Sequence, residues 1–148
     1  MGEEISKFEN YLSTNKVKEG KPDPSKAKGL MEMAKNDSEK VKGEPIEKDS
    51  TSYVFKNAYD VIRSALTSFM ALEGYNLYSH TAVLAYARDK LGVKKPKISK
   101  LNKFRKLRNN IEYRAERATE KETREIMEFM EEIIRESGGR LEKRLKDR

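Results

Sequence analysis

Arg105, Arg108, Asn109, Glu112 and Tyr113 stand along one side of the stretch Leu101–Ala115. The apolar residues of that stretch, Leu101, Phe104, Ile111 and Ala115 with Leu107 widening the stripe, recur at helical spacing. Arg105, Asn109 and Tyr113 fall at i, i+4 and i+8, so on a helix their side chains line up. Projected at about 100° per residue, Arg108 occupies the edge of the apolar face, in the slot between Phe104 and Ile111. A guanidinium there is costly to desolvate unless a carboxylate on a neighbouring helix or an anionic ligand pairs with it. Arginine, asparagine and tyrosine are donors suited to phosphate oxygens. Glu112 adds a proton acceptor to the same stripe.

The surrounding charge points the same way. Lys94, Lys95, Lys97, Lys100, Lys103, Arg105, Lys106 and Arg108 follow one another with no acid between them. Those eight basic residues leave the rest of the chain at −1, against +7 overall, so the basic character is local. A solvated helix face usually mixes signs; a single-sign run favours a surface that meets a polyanion.

Composition bounds the alternatives. A chain of 148 residues builds one domain with a real core. It has no cysteine, so disulfides and thiolate-bound zinc are excluded, and its single histidine, His80, excludes a histidine cluster within one chain. No apolar run approaches the roughly 18 residues of a membrane span, and the acidic start Met1-Gly-Glu-Glu-Ile5 lacks the apolar core of a signal peptide. These features predict a soluble cytoplasmic protein with no membrane association. Charged residues make up 39% of the chain and glutamine is absent, a bias associated with thermophiles. No glycine-rich phosphate loop, His-Glu-x-x-His motif or Ser-His-Asp arrangement is present, and no metal or other cofactor is expected.

The elements that must position the stripe read as helices throughout. Glu3 to Leu12 is amphipathic through Ile5, Phe8 and Leu12, and Lys16–Pro22 is a basic loop. Asp23 caps a second helix, with Pro24 at its first position, that runs to about Val41 and ends at Gly43-Glu44-Pro45. Ser52 to Glu73 keeps strict helical phase through Val54, Ala58, Val61, Ile62, Ala65, Phe69 and Leu72, and Gly74 stops it. His80 or Thr81 opens a fourth helix that closes at Gly92, and Lys94–Lys97 connects it to the Leu101–Ala115 helix. Thr119 with Glu122 forms a capping box for the last helix, whose stripe is Ile126, Met127, Met130, Ile133 and Ile134. Gly138-Gly139 is expected to break it. The prediction is an all-α, up-and-down bundle of four or five main helices over residues 1–139, followed by a charged C-terminal tail over 140–148. A lone histidine at a helix start ordinarily serves as a cap or packing residue, and the helix dipole disfavours its charged form. Tyr75 and Tyr78 suit either base stacking or a helix–helix corner.

With Arg108-Asn109-Asn110-Ile111-Glu112-Tyr113 on a late helix, the long helix ending in Leu72-Glu73-Gly74-Tyr75, and Tyr78-Ser79-His80 opening the next, the chain resembles the HEPN family over nearly its whole length. The resemblance implies a homodimer in which two arginine-motif helices line a shared cleft. It also implies either a metal-independent ribonuclease of a toxin–antitoxin or defence system, or an inactive RNA- or nucleotide-binding partner of a minimal nucleotidyltransferase antitoxin. The family motif places a histidine after four to six residues following the arginine. Tyr113 stands at the shortest of these spacings, and Arg114 and Ala115 follow it. A phenol is a poor general base at neutral pH but a good hydrogen-bond donor.

The sequence therefore supports an RNA- or nucleotide-binding module first. Arg105, Arg108 and Asn109 would hold phosphate, Tyr113 would donate or stack, and Lys94, Lys95, Lys97, Lys100 and Lys103 would supply general attraction. A metal-independent endoribonuclease using Arg108 with Tyr113 or Glu112 is the second reading. A structural partner whose basic face meets an acidic protein is the third. Glu112 is expected to rest against Arg108 or Arg105.

Overall fold

The computed structural model describes residues 5–148. The described residues are 73% helical and form six helices and one pair of short strands: α1 (Phe8–Ser13), β1 (Val17–Glu19), α2 (Pro24–Lys42), α3 (Thr51–Glu73), β2 (Tyr75–Leu77), α4 (His80–Asp89), α5 (Lys95–Arg114) and α6 (Glu120–Lys146). The all-α bundle expected from periodicity is what the chain forms. No helix among the described residues is long and apolar enough to cross a membrane.

Helix α3 is the hub because its sequence is apolar on nearly every side. Val54, Phe55, Ala58, Ile62, Ala65 and Leu72 are fully buried. Helices α2 and α6 pack along it, and α4 and α5 close the remaining faces. Phe55 of α3, Phe104 of α5 and Phe129 of α6 meet edge to face at centroid separations of 5.8 and 5.6 Å. Such pairs add about 0.5–1.5 kcal/mol each beyond burial, and here they fix the rotation of α5 against the hub. Met130 is buried and Met127 half-buried on the α6 stripe, as its spacing predicts.

The caps fall where the sequence puts them. The Asp23 carboxylate accepts the Lys26 N–H at 3.0 Å, and Thr119 and Glu122 exchange the two hydrogen bonds of a capping box. Gly74 ends α3 at φ 88°, where a Cβ would collide with the Gly20 carbonyl oxygen and the Lys21 backbone.

Four local expectations need correction. The basic loop after α1 contains β1, which pairs antiparallel with β2 in the register Val17↔Leu77, Lys18↔Asn76, Glu19↔Tyr75. Three-residue strands are too short to leave an alternation pattern. The first helix begins at Phe8; the predicted start at Glu3 lies outside the described residues. Residues 5–7 are not helical, because the carbonyls of Ile5 and Ser6 accept hydrogen bonds from Arg88. The Lys94–Lys97 connection is mostly the first turn of α5, with Pro96 at the helix start, where its missing N–H costs nothing.

Finally, Gly138-Gly139 does not break α6, and residues 140–148 are not a free tail: the helix runs on to Lys146. A Cβ at Gly138 would press on the Lys35 side chain, so glycine lets α2 and α6 approach. Two helical glycines cost about 1 kcal/mol each, and burying Leu141, which is 2% exposed, offsets that. Leu141→Ala should therefore destabilise the fold by about 2–5 kcal/mol in urea unfolding. A residue in a solvated tail would shift it by no more than about 0.5 kcal/mol.

Candidate anion-binding site

Helix α5 delivers Arg108 to the side of α3, where Asp60 waits. Arg108 Nε lies 3.5 Å from Asp60 Oδ1, and Arg63, one turn further along α3, brings Nη2 to 3.6 Å from the same oxygen. Both Asp60 Oδ1 and Arg108 Nε are buried without a hydrogen-bond partner. Two guanidiniums thus share one carboxylate oxygen, at distances that attract without forming hydrogen bonds. Arg105, 7% exposed, packs nearby with its guanidinium donating to Asn102 Oδ1 at 2.9 and 3.1 Å. Tyr59, buried on α3, has its phenol pushed up to about 12 by desolvation, so it stays an O–H donor.

His80 joins this cluster from the start of α4. Its Nδ1 lies 3.0 Å from Arg63 Nη1. A guanidinium can only donate, so Nδ1 accepts, the imidazole is neutral, and its proton sits on Nε2. Desolvation first, then the charges of Arg63, Arg108 and Arg105, hold the His80 pKa below its ordinary 6.5, with Asp60 opposing them. Ser79, the N-cap residue, makes no side-chain capping bond, and the positive end of the α4 dipole adds to the local field.

The remaining predicted residues are spread along α5. Asn109 is half-buried beside Arg108. Glu112 is paired with neither arginine: its carboxylate takes the Lys56 ammonium of α3 at 2.9 Å. That hydrogen bond is the leading cause that keeps Glu112 below the usual carboxylate range, with Arg108 only a distant contributor. Tyr113 is 79% exposed at the end of the helix, so the Arg105–Asn109–Tyr113 row runs from core to solvent. Lys94, Lys95, Lys100 and Lys103 are exposed, whereas Lys97 is engaged by Glu132 at 2.6 Å and Glu136 at 3.7 Å on α6. Tyr75 is a corner residue, edge-on to Phe8 and Tyr86; Tyr78 is outside, 66% exposed, with Lys18 over its ring.

Of the predicted residues, Arg108 and Arg105 stand at the cluster, and Asp60 and Arg63 were not among them. In the chain they are an i, i+3 pair of charges on the polar side of a long amphipathic helix, a pattern that ordinarily faces solvent. Chemically, the cluster can hold an anion between Arg63, Arg108 and the Nε2–H of His80. It is poorly set for proton abstraction, because the one lone pair of the imidazole is already occupied by Arg63. Comparison with known protein families, curated proteins and solved structures finds no match to this chain.

Because the folded chain resists protonation of His80, the stability tied to the neutral ring is complete above pH 6.5 and is lost as pH falls from there towards the depressed folded value. His80→Gln should therefore lose less stability than wild type between about pH 7 and pH 5.5. Urea unfolding at the two pH values measures the difference. Equal losses in both proteins would mean that the ring titrates alike in the folded and unfolded chains.

Proposed function

We propose that this chain is an RNA-binding module of the HEPN type, which takes phosphate at the cluster of Arg63, Arg108 and His80. The observation that carries the reading is the pair of guanidiniums sharing a single carboxylate oxygen without hydrogen bonds to it. A phosphate oxygen offers those donors the charge-assisted bonds that Asp60 supplies only in part. The exposed lysines Lys94, Lys95, Lys100 and Lys103, on the helix that carries Arg108, add a field extending beyond the cluster.

The binding reading is preferred to cleavage because neither proposed proton carrier is suitably placed. Glu112 is held ionised by Lys56, and Tyr113 points away from the cluster into solvent by its exposure. Loss of a general acid–base group costs about 10²–10⁴ in rate. The expected homodimer and the nucleotidyltransferase partner belong to the same proposal. The solvent-exposed end of α5, with Tyr113 on it, is the surface we assign to a second copy.

Binding to single-stranded RNA should weaken steeply with salt, with a log–log slope of roughly −3 to −4 if about four to six phosphates are contacted. Arg108→Ala should weaken it by about tenfold to a hundredfold, the worth of one charge-assisted bond. Replacing Lys94, Lys95 and Lys100 together should lower affinity evenly across sequences. Lys97→Ala should do little, since its ammonium faces α6. Fluorescence anisotropy reads all of these. RNA affinity untouched by Arg108→Ala would remove the cluster from the interface.

A further inference from the structure

The α3 helix presents two different polar stripes, and Asp60 belongs to both. Lys56 and Asp60 face α5, where they meet Glu112 and Arg108, and Arg63 lies between Asp60 and His80 of α4. Tyr53, Asn57, Asp60, Val61 and Ser64, at i, i+4, i+7, i+8 and i+11, face α2 instead and form one wall of a groove of about 310 Å³. Val41 and Glu44, at the end of α2, form the other side, with Asp37 and Lys40. Asp60 Oδ1 is buried against the arginines while the side chain as a whole is 40% exposed. The exposed remainder of Asp60 is therefore its contribution to the groove.

The two sides of Asp60 differ in sign. Towards α5 stand guanidiniums; towards α2 the groove carries Asp37, Glu44 and Asp60 against Lys40. A phosphate is drawn to the first and repelled by the second. The groove instead offers a half-exposed phenol ring, Tyr53, 57% exposed, the apolar walls of Val41 and Val61, and an edge of acceptors from Asp60, Glu44 and the amide of Asn57. A flat ring that stacks on tyrosine and presents N–H donors on its edge matches that set. Among the nucleobases, guanine offers adjacent ring N–H and exocyclic NH₂ donors, one for the open oxygen of Asp60 and one for the amide oxygen of Asn57.

We infer that the α2–α3 groove is a guanine-binding subsite, in which the base stacks on Tyr53 and donates to Asp60 and Asn57 while its phosphate lies on Arg63 and Arg108. This inference rests on the phosphate-binding role proposed for the cluster and adds a base preference to it. Asp60 is the divider: it holds the arginines in place on one side and reads the base on the other.

Titration of the full chain with GMP, AMP and ribose 5-phosphate, followed by protein NMR, tests it. GMP should bind at least about fivefold more tightly than ribose 5-phosphate, the lower end of a stacking contribution, and more tightly than AMP. Tyr53→Ala should bring GMP down to the affinity of ribose 5-phosphate and leave the latter unchanged, whereas Tyr53→Phe should retain the GMP preference. Tyr53 is exposed, so neither variant disturbs the core. Equal binding of GMP and ribose 5-phosphate, both lost in Arg108→Ala, would overturn the groove and leave the phosphate site standing. A preference for AMP, or a GMP preference that survives Tyr53→Ala, would overturn the guanine assignment. Ribose 5-phosphate binding indifferent to Arg108→Ala would bring down the phosphate reading, and the subsite with it.

Discussion

Helix α3 must be covered on almost every face, and the placement of the other elements follows from that requirement. Fully burying a Val, Leu, Ile or Phe side chain is worth about 1.5–3 kcal/mol, and α3 carries Val54, Phe55, Ile62, Leu66, Phe69 and Leu72 at 2% exposure or less. Short links bring α4 and α5 onto the faces that α2 and α6 leave uncovered. The polar side chains Lys56 and Asp60, set between buried residues of α3, then have to face whatever α5 presents. What α5 presents there is Arg108 and Glu112. The charged cluster is thus a consequence of covering the hub, and its geometry is held by the Phe55–Phe104–Phe129 contacts next to it.

The helical content was legible because periodicity and caps agreed. Asp23-Pro24 and Thr119–Glu122 are local signals that need no tertiary context, and both act as their spacing suggests. Gly138-Gly139 misled because helix propensity is a weak prior that packing overrides. The space between Lys35 and Gly138 and the burial of Leu141 are properties of two helices meeting, invisible in either one alone. The β1–β2 pair escaped for a similar reason. It is held by the Gly20–Gly74 approach, in which the Gly20 N–H donates to the Gly74 carbonyl at 2.7 Å, between residues remote in the chain.

The site was legible only on the helix that carries its residues in a row. Arg108 showed itself by standing in an apolar slot, a local anomaly. Asp60 and Arg63 did not, because a charge at the edge of a long helix ordinarily means solvent. The partner of Glu112 was misjudged because i, i+4 reasoning favours partners on the same helix, whereas Lys56 on α3 lies closer. His80 was legible as a helix start, but the burial and the neighbouring Arg63, Arg108 and Arg105 that lower its pKa are properties of the packed bundle. Its contact with Arg63 was not legible either, being set by the turn from α3 through β2 into α4.

That contact bears on how binding and reactivity divide in such a cluster. A neutral imidazole has one donor and one acceptor nitrogen. With Arg63 donating to Nδ1, His80 keeps only its Nε2–H for a ligand, which makes it a third donor beside two guanidiniums. For the ring to take a proton from a ribose hydroxyl, Arg63 would have to leave Nδ1 or the tautomer would have to switch. An approaching phosphate favours neither, because it draws Arg63 and the Nε2–H towards itself in their present roles. Asp60 reinforces the same outcome. It holds Arg108 through the Nε edge, and among the described residues no hydrogen-bond acceptor engages the Nη atoms of that guanidinium. In the proposed reading, a histidine pinned as a donor and an arginine braced from behind would be preorganised to hold an anion. Tight holding of the ground state does not by itself accelerate a reaction, so phosphate capture at the proposed site carries no cleavage with it.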